Sequence, residues 1–144
     1  MSERRLLVCF AHPDDEAFPV GGALALHAHQ GVKIRLVTTT LGEEGEIRQP
    51  GLATQETLGL TRKLELAASA ETLGIHEHSV LGYRDSGMAG TPPNNHPDAY
   101  INVPDELIVE QLVKHIREFK PQVLLTFEKG GLYGHPDHLS LIHI

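Results

Sequence analysis

Three short runs that are apolar or β-branched throughout constrain the fold of this chain more than any other feature. They occupy residues 6–10 (LLVCF), 34–40 (IRLVTTT) and 123–127 (VLLTF). Runs of this length and character are typical of strands that are covered on both faces, as in a parallel sheet. Residues 79–81 predict one further, short strand.

Helical patterns lie between these runs. We predict three helices and the start of a fourth, over residues 22–30, 54–73, 104–119 and from Pro136 onward. The second helix is expected to bury an apolar stripe that includes Leu60 and Leu64. Alternating strands and helices predict an α/β fold with right-handed crossovers, in which ligands bind beyond the carboxyl ends of the strands.

Length and composition narrow the class of protein. The 144 residues fit one domain, which we place at residues 1–144. Twelve Lys and Arg against 19 Asp and Glu give a net charge of −7, so we expect no nucleic-acid partner. No run approaches the roughly 18 apolar residues of a membrane span. Residues 1–5 are polar, so we expect no signal peptide and a cytoplasmic location.

Histidine is unusually frequent, with ten in the chain, whereas Cys9 is the single cysteine. One cysteine excludes an intramolecular disulfide and a cysteine-based zinc site. The first group of polar residues, 12–16 (HPDDE), directly follows the first predicted strand. Three adjacent carboxylates repel one another unless a cation or a hydrogen-bond network compensates them. A helix-capping turn would explain the acids but not the histidine.

A second histidine group, residues 134–138 (GHPDH), follows the strand predicted over 123–127 across a glycine-rich loop. Alone it is equally well explained as an exposed turn. In a parallel sheet, however, both groups emerge at the same edge. His12, Asp15 and His138 then supply two imidazoles and one carboxylate. This ligand set is typical of hydrolytic zinc with a fourth position left for water.

The remaining polar side chains of the two groups suit the chemistry of such a site. Asp14 could act as general base toward a water molecule. His135 could be a cation that stabilises an oxyanion or protonates a leaving amine, with Asp137 holding and charging its ring.

The two motifs resemble the signatures of the PIG-L/LmbE family of zinc-dependent N-acetylglucosaminyl deacetylases, and the resemblance runs from residue 6 to residue 138. Weaker matches are residues 40–43 (TLGE), the Arg62–Glu65 spacing and residues 81–88 (LGYRDSGM). The last of these is most similar to relatives that act in mycothiol- and bacillithiol-type thiol biosynthesis. The resemblance implies a Rossmann-like three-layer sandwich with a mostly parallel sheet. It also implies hydrolysis of the N-acetyl amide of a small N-acetylglucosaminyl substrate.

The resemblance also assigns residues. It places the metal ligands on His12, Asp15 and His138, the general base on Asp14, and the protonated histidine with its partner on His135 and Asp137. It places a tyrosine that polarises the acetyl carbonyl on Tyr133, and residues near the sugar on Arg62 and Asp85. The metal would be Zn²⁺, with Fe²⁺ able to occupy the same site. Family members continue for several tens of residues beyond GHPDH and often form homo-oligomers, so we expect a chain that lacks its C-terminal part and a homo-oligomer.

Two alternatives stay open at this point. Two histidines and a carboxylate also form the facial triad of iron(II) oxygenases, although that site typically uses His-x-Asp on a β-barrel rather than His-x-x-Asp on an α/β sheet. A non-catalytic Rossmann-like binding domain is compatible with the fold. Against it, neither G-x-G-x-x-G nor a P-loop follows the first strand.

Overall fold

The computed structural model describes residues 3–144 as one sheet with helices on both faces. Its strands are β1 (Arg5–Phe10), β2 (Lys33–Thr40), β3 (Glu77–Tyr83) and β4 (Val123–Leu125). Its helices are α1 (Gly21–His29), α2 (Leu58–Leu73), α3 (Asp105–Phe119), the short α4 (Gly131–Gly134) and α5 (Pro136–His143). Two 3₁₀ turns, Pro92–Asn95 and Tyr100–Asn102, lie between β3 and α3.

The sheet has the strand order β3-β2-β1-β4, and all three pairings are parallel. Val8 in β1 lies opposite Leu36 in β2 and Leu125 in β4. The predicted α/β fold with a parallel sheet is therefore confirmed. The strand order reverses between β1 and β4, where doubly wound sheets bind their ligands.

The helices form two layers because of the path of the chain. From β1 to β3 the chain moves outward in one direction through α1 and α2, which contact each other. It then returns through α3 to β4, and α3 packs against β1. Right-handed crossovers place these two groups of helices on opposite faces of the sheet, which confirms the three layers. No helix in residues 3–144 has the length and apolar character that a membrane crossing requires.

The core is centred on β1. Leu7 and Val8 are fully buried, and Phe10 packs against Phe127 with ring centroids 4.8 Å apart.

β4 does not match its prediction as a strand covered on both faces, since Val123 is 58% and Leu124 is 47% exposed. The physical reason is position: β4 lies at one edge of the described sheet, and α3, the helix that leads into it, packs against β1.

The apolar stripe predicted for α2 is also wrong. The helix starts at Leu58, and Leu60 and Leu64 are 64% and 67% exposed. The side that packs against the protein carries Leu66 and Ala70, which are 1% and 2% exposed. Leucine spacing alone therefore points to the wrong face of α2.

Candidate metal centre

The two histidine motifs meet at the point where the strand order reverses. His12 lies two residues beyond the end of β1, and His138 lies in α5, which follows β4. β1 and β4 are neighbours, so the loops beyond their carboxyl ends adjoin. The expectation that these motifs share one edge of the sheet is confirmed.

The structure brings together His12, Asp15 and His138, which are 5%, 4% and 0% exposed. His12 Nδ1 lies 3.1 Å from His138 Nε2. The Asp15 carboxylate adjoins both rings, with Oδ2 at 3.6 Å from His12 Nδ1 and Oδ1 at 3.5 Å from His138 Nε2. The side chains named as ligands therefore converge on one buried point.

Contacts on the far side of each ring fix which nitrogen faces that point. His138 Nδ1 lies 3.0 Å from the carbonyl oxygen of Gly131, and His12 Nε2 lies 3.1 Å from Asp137 Oδ2. The Asp15 carboxylate also accepts the backbone N–H of His12 at 2.8 Å. Histidine ligands are commonly oriented by an acceptor on their other nitrogen.

A divalent ion fits this donor set. With Zn–N bonds of 2.0–2.1 Å, two tetrahedral donors lie about 3.3 Å apart, close to the 3.1 Å between His12 Nδ1 and His138 Nε2. Asp15 presents a different carboxylate oxygen to each ring, at 3.6 and 3.5 Å. The His135 ring nitrogen is also near, since donor atoms of His12, His135 and His138 lie within 4.8 Å of one another. Imidazole and carboxylate donors suit zinc and iron(II) alike.

Within the cluster, acidic side chains face histidine rings and shift their pKa values. Burial alone would lower the pKa of His12, but its contacts with Asp137 and Asp85 outweigh burial and raise that pKa to about 9. Burial likewise opposes ionisation of Asp15, but its contacts with His138 and His12 lower its pKa below the ordinary value. The acids are thus held ionised against the rings.

His135 differs from the expected cation. Burial, followed by the charge on His12, lowers the pKa of His135 to about 4, so its ring is neutral at pH 7. Its Nδ1 accepts the backbone N–H of Asp137 at 3.2 Å. The neutral ring therefore carries its proton on Nε2, which lies 3.8 Å from Asp85 Oδ1. His135 is a hydrogen-bond donor toward the cavity.

Asp137 also lies differently from its expected place beside the His135 ring. Its carboxylate contacts His12 and accepts the backbone N–H of Ser86 at 3.2 Å, while Oδ1 is buried without a hydrogen-bond partner. Its backbone N–H donates to His135 Nδ1, and a carboxylate oxygen of Asp137 lies within 4.8 Å of a His135 ring nitrogen. Asp137, the second residue of α5, thus contacts His12 with its side chain and His135 with its backbone N–H.

Asp14 opens toward solvent while its neighbours are buried. Its side chain is 72% exposed, and its backbone has φ of 105°. Arg62 Nη2 donates to Asp14 Oδ2 at 3.0 Å, and the same guanidinium donates to the carbonyl oxygens of Pro13 and Gly42. Arg62 therefore contacts the loop that carries Asp14, and its predicted sugar contact stays a prediction.

Asp85 and Tyr133 both line the cavity beside the cluster. Asp85 accepts the backbone N–H groups of Gly87 and Glu44 at 2.8 and 3.1 Å, and its Oδ1 lies 3.6 Å from His12 Nε2. The contact between Asp85 and His12 was not predictable from the sequence, because the loop after β3 is irregular. The predicted contact of Asp85 with the sugar stays a prediction. Tyr133 is 59% exposed, and burial raises its pKa to about 12, so the phenol keeps its proton at neutral pH.

A cavity of about 820 Å³ opens above the cluster. Its walls come from the loops after β1, β2 and β3, from α2 and from α4. Among its lining residues, the predicted site residues are His12, Asp14, Arg62, Asp85, Tyr133 and His135. The cavity therefore opens at the same edge of the sheet as the predicted metal ligands.

Known proteins share this arrangement of sequence and fold. A family model described as GlcNAc-PI de-N-acetylase (PIG-L) matches residues 7–144. A 1D-myo-inositol 2-acetamido-2-deoxy-alpha-D-glucopyranoside deacetylase of Thermobispora bispora is 47% identical over 149 aligned positions, which cover 97% of this chain and 49% of that protein. Its counterpart in Acidothermus cellulolyticus is 49% identical, over 95% of this chain and 50% of that protein.

Solved structures give the same fold. The N,N'-diacetylchitobiose deacetylase of Pyrococcus horikoshii superposes with a TM-score of 0.75 at 25% identity, over 95% of this chain and 46% of that one. GalB, a 4-carboxy-2-hydroxymuconate hydratase of Pseudomonas putida KT2440, gives 0.73 at 28% identity, over 97% and 53%. The chain spans about half the length of the curated relatives it matches. Because the family model covers nearly every residue, the chain belongs to the PIG-L family.

Proposed function

We propose that the protein is a zinc-dependent amidohydrolase that removes the acetyl group from an N-acetylglucosamine conjugate, releasing acetate and a glucosaminyl product. The observation that carries this proposal is the buried convergence of His12, Asp15 and His138 beside an exposed Asp14. Related proteins named as deacetylases of sugar conjugates support the same chemistry.

His12, Asp15 and His138 would hold the ion. When bound, Zn²⁺ supplies a Lewis acid that lowers the pKa of water to about 7 and polarises a carbonyl group. Asp137 orients the His12 ring, and the Gly131 carbonyl orients the His138 ring. These contacts leave the facing nitrogens free to bind metal in a fixed geometry.

Asp14 supplies the general base. Its carboxylate lines the cavity and is accessible to water, whereas Asp15 and Glu16 are buried. It takes the proton of the attacking water and returns that proton to the leaving amine. Arg62 holds the carboxylate in place through a 3.0 Å hydrogen bond.

His135 and Tyr133 stabilise charge on the acetyl oxygen. Both line the cavity, and each carries a proton at neutral pH that it can donate. Donors placed where charge develops are often worth about 2.7–4 kcal/mol each to the barrier. His135 fulfils this role as a neutral donor through Nε2.

The cavity favours a neutral sugar conjugate over a phosphorylated one. Its described lining includes two cationic arginines, and both face carboxylates: Arg62 lies 3.0 Å from Asp14, and Arg48 lies 3.0 Å from Glu46. Glu65 adds a further acid. We therefore propose an unphosphorylated inositol glycoside, like that named for the Thermobispora bispora relative, as the substrate class.

The first test is metal content by elemental analysis, measured with deacetylation of this glycoside for wild type and His138→Ala. We expect about one zinc per wild-type chain, its loss in the variant, and acetate release by wild type alone. Absence of metal from folded wild type would refute the ligand assignment. Higher turnover with Fe²⁺ than with Zn²⁺ would change the assigned metal to iron. Consumption of dioxygen with Fe²⁺ would favour the oxygenase alternative.

The second test is Asp14→Asn, which keeps the shape of the side chain and removes its basicity. Positioned general bases contribute about 10²–10⁴-fold, so we expect kcat to fall at least about 100-fold while zinc content stays at the wild-type level. Turnover near that of wild type would show that another group is the base.

A cytoplasmic location and a homo-oligomer stay predictions.

A further inference from the structure

We propose that Glu16, hydrogen-bonded to Ser69, is a positioning residue that holds Asp14 in the backbone conformation its catalytic role requires. The proposal rests on the proposed function, because it concerns the base of that reaction. It assigns a task to a buried acid that neither holds the metal nor contacts the cavity.

The backbone at Asp14 needs external support. Its φ of 105° is a conformation that residues with a Cβ rarely adopt, and it persists only where surrounding contacts impose it. The Asp14 carbonyl already accepts the N–H groups of Ala17 and Phe18, each at 2.9 Å. The remaining backbone group, the Asp14 N–H, is the one that Glu16 binds.

Glu16 bridges this N–H to α2. Its Oε2 accepts the Asp14 N–H at 3.0 Å, and its Oε1 accepts the Ser69 hydroxyl at 2.5 Å. The side chain is 1% exposed, and no Lys, Arg or His nitrogen within residues 3–144 forms an ion pair with it. A buried carboxylate without a counter-ion is costly, so its place here indicates a function beyond packing.

Helix α2 contacts the Asp14 loop at two points. Arg62 and Ser69 are seven residues apart, two turns along the same side of the helix. Arg62 binds the Asp14 carboxylate, and Ser69 acts on the Asp14 backbone through Glu16. The hydrogen bond from the Asp14 N–H to Glu16 fixes the backbone position from which the Asp14 side chain extends. Its loss should therefore displace the Asp14 carboxylate while the cavity stays open.

Two substitutions of Glu16 separate positioning from charge. Glu16→Gln keeps an oxygen for the Asp14 N–H and an amide that can donate to Ser69 Oγ, but it removes the charge. Glu16→Met keeps a similar volume and removes both contacts. Glu71→Ala is the matched control, since Glu71 is an exposed acid of α2 outside the cavity.

The experiment measures kcat, KM and zinc content for these variants and for Ser69→Ala with the inositol glycoside. Misplacement of a catalytic group by about 1 Å can cost about 100-fold, so we expect Glu16→Met to lose about 10- to 100-fold in kcat. Its KM and zinc content should stay near wild type. Glu16→Gln should stay within about threefold of wild type, and Ser69→Ala should lie between the two.

Three outcomes would overturn the proposal. Equal losses for Glu16→Gln and Glu16→Met would assign the effect to charge. Loss of zinc in Glu16→Met would assign it to the metal site. Unchanged kcat in a folded Glu16→Met with active wild type would leave Glu16 a structural residue.

A second measurement does not need turnover, so it separates this proposal from the proposed function. Asp14→Gly and Asp14→Ala both remove the Arg62 contact, but only glycine relieves the strain at φ of 105°. We expect the Tm of Asp14→Gly to exceed that of Asp14→Ala by about 3 °C, and this difference to fall to roughly 1 °C when Glu16→Met is added. A difference that Glu16→Met does not change would refute the positioning role even if no substrate were turned over.

Discussion

At the scale of single residues, a buried thiol and a buried phenol that must stay neutral reduce the stability of this fold at alkaline pH. Cys9 lies in β1 and is 3% exposed, and burial raises the pKa of its thiol to about 12. Burial, followed by the nearby Asp137 charge, also raises the pKa of Tyr100 above its ordinary value. In the unfolded chain both groups ionise at lower pH, so alkali stabilises the unfolded state.

The free energy of unfolding should fall from about pH 7 to pH 9, as native His12, whose pKa is raised to about 9, loses the proton that stabilises the fold. It should fall further between pH 9 and pH 12, as the unfolded thiol ionises and the native thiol does not. Each such group contributes a slope of at most about 1.4 kcal/mol per pH unit. Urea denaturation at pH 8, 9, 10 and 11 measures this slope, and Cys9→Val should make it shallower. Alkylation of native wild type by iodoacetamide at pH 8 would contradict the burial of Cys9.

The residues of the site were predictable where they directly follow strands. His12 and Asp15 lie just beyond β1, and a parallel sheet brings them to the loop that carries His138. The contacts that orient the rings were not predictable in the same way. The His138 ring is oriented by the Gly131 backbone carbonyl, which any residue type would supply. The Asp137 carboxylate lies 3.1 Å from His12 Nε2, whereas the hydrogen bond to His135 comes from the Asp137 backbone N–H.

At the scale of elements, α2 joins the loops that follow β1 and β2. Gly42, after β2, has φ of 65°, and a Cβ there would lie 1.8 Å from Arg62 Nη1. Gly42→Ala should therefore displace the guanidinium from its contacts with Gly42 and Asp14, and cost about 2–4 kcal/mol from strain and lost hydrogen bonds.

Gly51→Ala is the matched control, because Gly51 has φ of 83° but no atom lies within 4 Å of the position of its Cβ. This variant bears the backbone strain alone, at about 1–2 kcal/mol. Urea denaturation compares the free energies of unfolding of the two variants. Equal losses would show that Arg62 does not connect the loops.

The buried sides of the helices and strands were less predictable from the sequence than their positions along the chain. Strand and helix positions followed from apolar runs and glycine or proline boundaries, and the structure has all of them within a few residues. The buried side of α2 was mistaken because Leu60 and Leu64 suggested a stripe that is exposed, whereas Leu66 and Ala70 pack inward. Which side of a helix faces the sheet depends on tertiary contacts that a single helix does not encode.

At the scale of the whole molecule, the described sheet is covered unevenly. β1 and β2 lie at its centre and are almost fully buried, whereas β4 has an unpaired edge and two exposed apolar side chains. Val123 and Leu124 point to opposite faces of the sheet, so both faces are open at this edge. An exposed, apolar edge strand is a template for pairing with another chain.

We therefore predict that the 144-residue chain self-associates as its concentration rises, and that Leu124→Lys reduces association because a charged side chain on an edge strand opposes pairing. Leu107→Lys is the control, since Leu107 is 52% exposed on α3, close to the 47% of Leu124, but is not on a strand. Sedimentation velocity over a 100-fold range of concentration measures the mass of each. If both variants associate as wild type does, the contact between copies lies elsewhere; if both are monomeric, general apolar exposure rather than strand pairing drives association.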